Sequence, residues 1–207
     1  MLVLRNMDEL MDLALDDPAD VLGRPAESRR VFAAGHACVC NPLKKAHYPA
    51  DWIPANCALT KQHRTPDEAQ VSGGRCDLSP LGYMNGGLQV VNPSKEVFGK
   101  IVEYMEEHAS EMDFADQSVL SGLFRGRWVA LPYVYNALKT LKWKGVHDAI
   151  WRDEEVKNVH YILAPKPWNE VDKDGKWSGT EASHVWWVEY DRERKEKEKG
   201  EGIDDGF

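Results

Sequence analysis

Hydrophobic positions along this chain follow two periods, and the switches between them mark its elements. Short β-branched or alternating runs predict strands: MLVLR at the start, RVFAAGHACVC at 30–40, Leu88 to Val91 after a glycine-rich entrance, and VHYIL at 159–163. Spacing of three and four predicts helices. Asn6 is placed to cap NMDELMDLAL, with Asp8 and Glu9 in its first turn. PSKEVFGKIVEYMEEH has Ser94 as its cap and an apolar face of Val97, Phe98, Ile101, Val102 and Met105. SVLSGLFRG carries Val119, Leu120, Leu123 and Phe124. The last helix, TEASHVWWVEYDRERKEKEK, is apolar at Val185, Trp186 and Val188 and then wholly charged, a solvated end fraying into EGIDDGF.

Between these elements DDPADVLGRPAESRR reads as a loop with two prolines, and LPYVYNAL as extended and loop-like. Residues 41–80, rich in Pro, His, Asn and Gly with little periodicity, form a long irregular excursion; loops of that length in a compact domain are functional or disordered. There are no internal repeats.

Composition narrows the function classes. The chain has 207 residues, 43% of them hydrophobic, enough for a buried core. A formal charge of −8 and no basic stripe argue against nucleic acid, whose binding depends on neutralising phosphates. No apolar run approaches the ~20 residues of a membrane span. MLVLRNMDELMDL turns acidic at once, which argues against a signal peptide. Cys38, Cys40, Cys57 and Cys76 are too few for a disulfide scaffold in a chain of this size, so a cytoplasmic setting is expected.

Three short stretches combine polar groups with glycine or a strand end. Asn85-Gly86-Gly87 would let backbone approach a ligand while an amide offers both donor and acceptor. Asp113-x-x-Asp116-Gln117 at a helix mouth could hold sugar hydroxyls, which need donors and acceptors in a fixed arrangement. His160 at a strand end, with Lys166 between Pro165 and Pro167, could handle a metal-bound diphosphate. Each also has a plain structural reading: a β-bulge, a helix N-cap, and a strand-edge histidine before a proline-rich turn.

Their order is more specific than any one of them. NGG, a capped helix, DxxDQ, LPxxYN, VHY and KPW together resemble the C-terminal half of glycosyltransferase family 8, the family of glycogenin and galactinol synthase. HACVCNPLKKAHYPADW and Trp186-Trp187 are similar to its galactinol synthase side. The resemblance implies an α/β chain with a GT-A fold, a Rossmann-like nucleotide-diphospho-sugar transferase fold, here N-terminally truncated. It divides the chain into a partial family 8 domain at 1–170 and a C-terminal extension at 171–207 with a charged helix and a disordered end.

It further implies a retaining hexosyltransferase using a UDP-sugar, Mn²⁺ and a carbohydrate, polyol or protein acceptor, with room for a homodimer. By this likeness His160 is a metal ligand and Lys166 a diphosphate contact. Asn85, Gly86, Gly87 and Asp113 line the donor-sugar pocket, and Asp116 and Gln117 lie against the transferred sugar as the catalytic pair.

Two departures accompany the resemblance. The family's D-x-D metal motif precedes a stretch like MLVLRNMDELMD, where this chain begins, so the chain as given is expected to be inactive or impaired, with a sheet edge and apolar surface uncovered and poor stability alone. Asp172-Lys173-Asp174 lies in a polar turn with no strand leading in and reads as a loop. Leu163 stands where the family commonly has a glycine whose backbone nears the phosphates.

Two other function classes compete. One is a non-catalytic remnant that binds or regulates a full-length transferase. The other is a zinc module from His36, Cys38, Cys40, Cys57, His63 and Cys76. Its H-x-C-x-C opening lacks the usual C-x₂₋₄-C spacing, and cysteines are often simply buried.

Overall fold

The computed structural model describes residues 1–61, 82–111, 114 and 116–203. Asp113, His63 and Cys76 lie outside the described residues. Two small sheets organise the rest. Strands β1 (Leu2–Val3), β2 (Phe32–His36), β3 (Met84–Val91), β4 (Val129–Leu131), β5 (Ala137–Leu138) and β6 (Asn158–His160) form one sheet in the order β3-β2-β4 and another in the order β1-β6-β5. Each has a parallel pair, β2 with β4 and β5 with β6, and an antiparallel edge, β3 or β1. The α/β class expected from the sequence is observed.

β2 is buried along its whole length because it lies between two strands and two cores. Its side chains alternate as a strand requires: Ala33 joins the larger core, while Phe32 and Ala34 join the smaller one with Met84, Phe124 and Trp128. β4 repeats the division, with Val129 and Leu131 on one side and Ala130 on the other. The larger core runs on to the second sheet through Tyr133, Tyr135, Leu138, Val159 and Tyr161.

Among the described residues four α-helices flank the sheets: α1 (Pro18–Gly23), α2 (Lys95–His108), α3 (Asp116–Leu123) and α4 (His184–Glu201). The reading of DDPADVLGRPAESRR as a loop is corrected by α1. Asp17 accepts a hydrogen bond from the Ala19 amide at 2.8 Å and Pro18 opens the helix, so the residues that suggested a turn start a helix instead. The expected N-terminal helix is a 3₁₀ segment, Asp8–Asp12. LPYVYNAL contains a 3₁₀ turn, Tyr133–Tyr135, and the strand β5, and β4 just before it had no expectation attached.

Helix α2 is capped as expected, Ser94 Oγ accepting from the Val97 amide at 3.2 Å. Its apolar face is not buried. Phe98 is 65% exposed and Met105 45%, and both line an apolar groove with Val91, Ile101, Leu120 and Phe124. Among the described residues no helix is long and apolar enough to cross a membrane.

Candidate functional site

The antiparallel pairing of β2 with β3 has one irregularity, and it falls on Asn85-Gly86-Gly87. Ala34 pairs with Gln89 and the next residue, Gly35, pairs with Asn85, so Gly86, Gly87 and Leu88 stand outside the ladder. The bulge and the binding loop are therefore the same feature. Freed from strand pairing, the Gly86 amide donates to Gln117 Oε1 at 3.1 Å and the Gly87 amide to Asn85 Oδ1 at 3.0 Å.

The side chains here form a continuous ladder across the two sheets. Asn85 Nδ2 donates to Gln117 Oε1 at 2.9 Å, and Asn136 Nδ2 donates to Asn85 Oδ1 at 2.8 Å. Asn136 Oδ1 lies 3.0 Å from His160 Nδ1. Because the Asn136 amide nitrogen is committed to Asn85, its oxygen faces the imidazole, and His160 Nδ1–H is the donor. His160 Nε2 then carries the lone pair a ligand needs. Burial first, then the positive charges of the Met1 amine and Lys166, push the His160 pKa down to about 4.

The elements hold these residues for local reasons. Helix α3 is fastened to β3 by Ser121 Oγ, which accepts from the Met84 amide at 3.0 Å, and this brings Asp116 and Gln117 beside the bulge. The Asp116 carboxylate lies over Gly86, where a Cβ would overlap it. A Cβ at Gly87 would overlap the His160 ring and come within 2.8 Å of Asn136 Oδ1. Asn136, 4% exposed, packs over Gly35, whose ideal Cβ would lie 3.5 Å from its Nδ2. Asp116 is the first residue of α3, not its cap.

Asn85, Gly86, Gly87, Asp116, Gln117 and His160 are thus brought together. Asn136 joins them though only its LPxxYN motif, not its role, was singled out in the sequence. Lys166 lies on the loop after β6, its amine bonded to the Tyr161 carbonyl, and its charge is felt at His160. That loop is anchored from below. Lys139, with a fully buried side chain, donates to the Pro165 carbonyl at 2.5 Å and to His184 Nε2 at 3.2 Å, and His184 Nδ1 meets Glu170 at 2.6 Å. Leu163 has φ of +59°, the left-handed backbone a glycine adopts freely, so the loop keeps a glycine-like path without a glycine. Asp172 and Asp174 form the expected turn, with Asp172 Oδ1 accepting from the Asp174 and Lys176 amides at 2.9 Å.

For a hard divalent ion this set is incomplete. His160 offers one nitrogen, and among the described residues no group of three His, Cys, Asp or Glu donors includes it. Such ions prefer several oxygen ligands. The described residues alone do not fit Mn²⁺.

Comparison with known proteins identifies the family. The family model for glycosyl transferase family 8 matches residues 53–172, which include the bulge, α3, Asn136, His160 and Lys166. Galactinol synthase 1 of Arabidopsis thaliana is 26% identical over 138 residues, 65% of this chain and 39% of that protein. Galactinol synthase 2 of Solanum lycopersicum is 29% identical over 134 residues, 62% of this chain and 38% of that protein. Glycogenin of Neurospora crassa is 24% identical over 136 residues, 63% of this chain and 20% of that protein. The chain therefore spans about two fifths or less of the length of these relatives. With the family model covering more than half of its residues, the chain belongs to glycosyltransferase family 8.

Proposed function

We propose that this chain carries the donor-sugar side of a retaining hexosyltransferase that moves a sugar from a UDP-sugar to a polyol, carbohydrate or protein acceptor. The observation that carries the reading is the ladder Gln117–Asn85–Asn136–His160, with the Asp116 carboxylate over Gly86. A hexose presents hydroxyls that donate and accept at fixed angles, and an acid beside an amide offers both capacities. Gly86 and Gly87 let the Asp116 carboxylate and the His160 ring sit directly against the backbone, which sets both groups beside the ladder.

The chemical task is to stabilise charge growing on the diphosphate as the glycosidic bond loosens. Lys166 serves as a point charge for it, and preorganised groups of this kind act most strongly where water is excluded. His160 Nε2 offers one nitrogen ligand toward a divalent cation, and the described residues do not complete a site for Mn²⁺ around it. The names of the relatives support a polyol or glycan acceptor, and Cys38, Cys40 and Cys57, none of them in a disulfide, accord with a cytoplasmic setting.

Calorimetry on the protein as it is made in the cell tests the reading. UDP-hexose with Mn²⁺ should give saturable heat beyond that of UDP alone, and Asn85→Ala should weaken the hexose increment roughly tenfold, the equivalent of about 1.4 kcal/mol. Equal heats for UDP and UDP-hexose, or an Asn85→Ala variant that binds like the parent, would overturn it.

A further inference from the structure

The long excursion after β2 brings a second group of side chains together, away from His160. The ligating atoms of Cys38, Cys40, Cys57 and His147 all lie within 4.8 Å of one another. Cys40 Sγ is 3.1 Å and Cys57 Sγ 3.3 Å from His147 Nε2. Cys40, Cys57 and His147 are buried, at 9%, 2% and 4% exposure, and Cys38 is half-buried. The four come from three separate stretches: the loop after β2, the turn after Pro54–Asn56, and the segment between β5 and β6. The zinc module weighed from the sequence is thereby redrawn. His36 packs edge-on against Trp128, with ring centroids 4.9 Å apart, and the histidine in the cluster is His147, which the H-x-C-x-C spacing does not point to.

We propose that Cys38, Cys40, Cys57 and His147 form a structural Zn²⁺ site that staples the irregular 37–61 segment to the core. The donor set decides the metal. Three sulfurs and one imidazole nitrogen suit Zn²⁺ and exclude Mg²⁺ or Mn²⁺, which take oxygen. Four protein ligands fill a tetrahedron and leave no open position, the mark of a structural centre. The spacing agrees. Bonds of about 2.3 Å to sulfur and about 2.0 Å to nitrogen set tetrahedral sulfurs roughly 3.8 Å apart and sulfur and nitrogen roughly 3.5 Å apart, close to the observed sulfur–nitrogen distances of 3.1 and 3.3 Å in a cluster whose donor atoms all lie within 4.8 Å.

Zinc uptake displaces the thiol protons, so the site should weaken as pH falls. The 37–61 segment contains only short 3₁₀ turns, and its apolar anchors are few, chiefly Val39, Trp52 and Leu59. Cys38 and Tyr48 share a small cavity with Thr140, Ile162 and Leu163, so the staple presses the excursion against the loop that leads to Lys166. The zinc site itself does not depend on the proposed sugar transfer.

Metal analysis of the purified full chain should find about one zinc per molecule, and X-ray absorption should read three sulfurs at about 2.3 Å and one nitrogen at about 2.0 Å. Cobalt substitution should give thiolate-to-metal charge-transfer bands. His147→Cys should keep the metal with four sulfurs, whereas His147→Phe should lose it. Should a variant fail to fold, the wild-type spectra still decide. A metal-free protein whose melting temperature ignores added Zn²⁺, an oxygen-rich shell, or a disulfide among the three cysteines would overturn the proposal.

Discussion

A Cβ on Gly87 would overlap the His160 ring, so this glycine is required by a close approach and not by a turn. That gives the ladder a sensitive probe. In the native protein the His160 imidazole titrates near 4, well below the ordinary 6.5, because burial and two nearby positive charges oppose its protonation. The unfolded chain therefore takes up this proton first, and the residue's contribution to stability falls as pH drops from about 6.5 to about 4. Gly87→Ala should push the ring off Asn136 and move its NMR titration midpoint up toward 6.5. If the ring is displaced by about 1 Å, transfer should drop by around 100-fold. A variant with an unchanged midpoint and unchanged turnover would show that the ladder is not held by this contact.

At the scale of elements, the loop after β6 owes its position to α4 and to the strand beside it. Lys139 follows β5, and its buried amine ties the Pro165 carbonyl to His184 at the start of α4. Lys139→Met would leave both acceptors without their donor, at a cost of about 2 kcal/mol, and free the segment that carries Lys166. Denaturant unfolding should register the loss, and a change below about 0.5 kcal/mol would contradict it.

Much of this level was legible beforehand. The Ser94 cap and the spacing of helix α2 announce it, and the β-branched VHYIL run announces β6. Helix α1 was obscured because Asp and Pro signal both turns and helix starts, and only six residues separate the two readings. The apolar stripe of α2 was legible but its exposure was not, since periodicity predicts an apolar face and not what covers it.

Across the whole molecule, two polar clusters draw distant segments of the chain together. One is the ladder joining β3 to β6 across the two sheets; the other is the Cys₃His group that gathers 38–57 to His147. The first was largely visible as an order of short motifs, since NGG, DQ and VHY each keep their neighbours. Asn136 and His147 were not. Both act through partners 50 or more residues away, Asn136 on Asn85 and His147 on Cys40, and no local period encodes such a meeting. The GT-A architecture that family 8 membership implies accounts for His160 at the carboxyl end of β6, while Asn136 reaches it from the residue just before β5.

The central claim is that the ladder and Asp116 cradle the transferred hexose. A crystal structure of the complex with an intact UDP-hexose tests it most directly. The sugar ring should lie against the Asp116 carboxylate, with hydroxyls within hydrogen-bond distance of it and of the Gln117 amide, about 2.7–3.2 Å. A hexose bound elsewhere, with Asp116 and Gln117 left in contact only with the protein, would contradict the account.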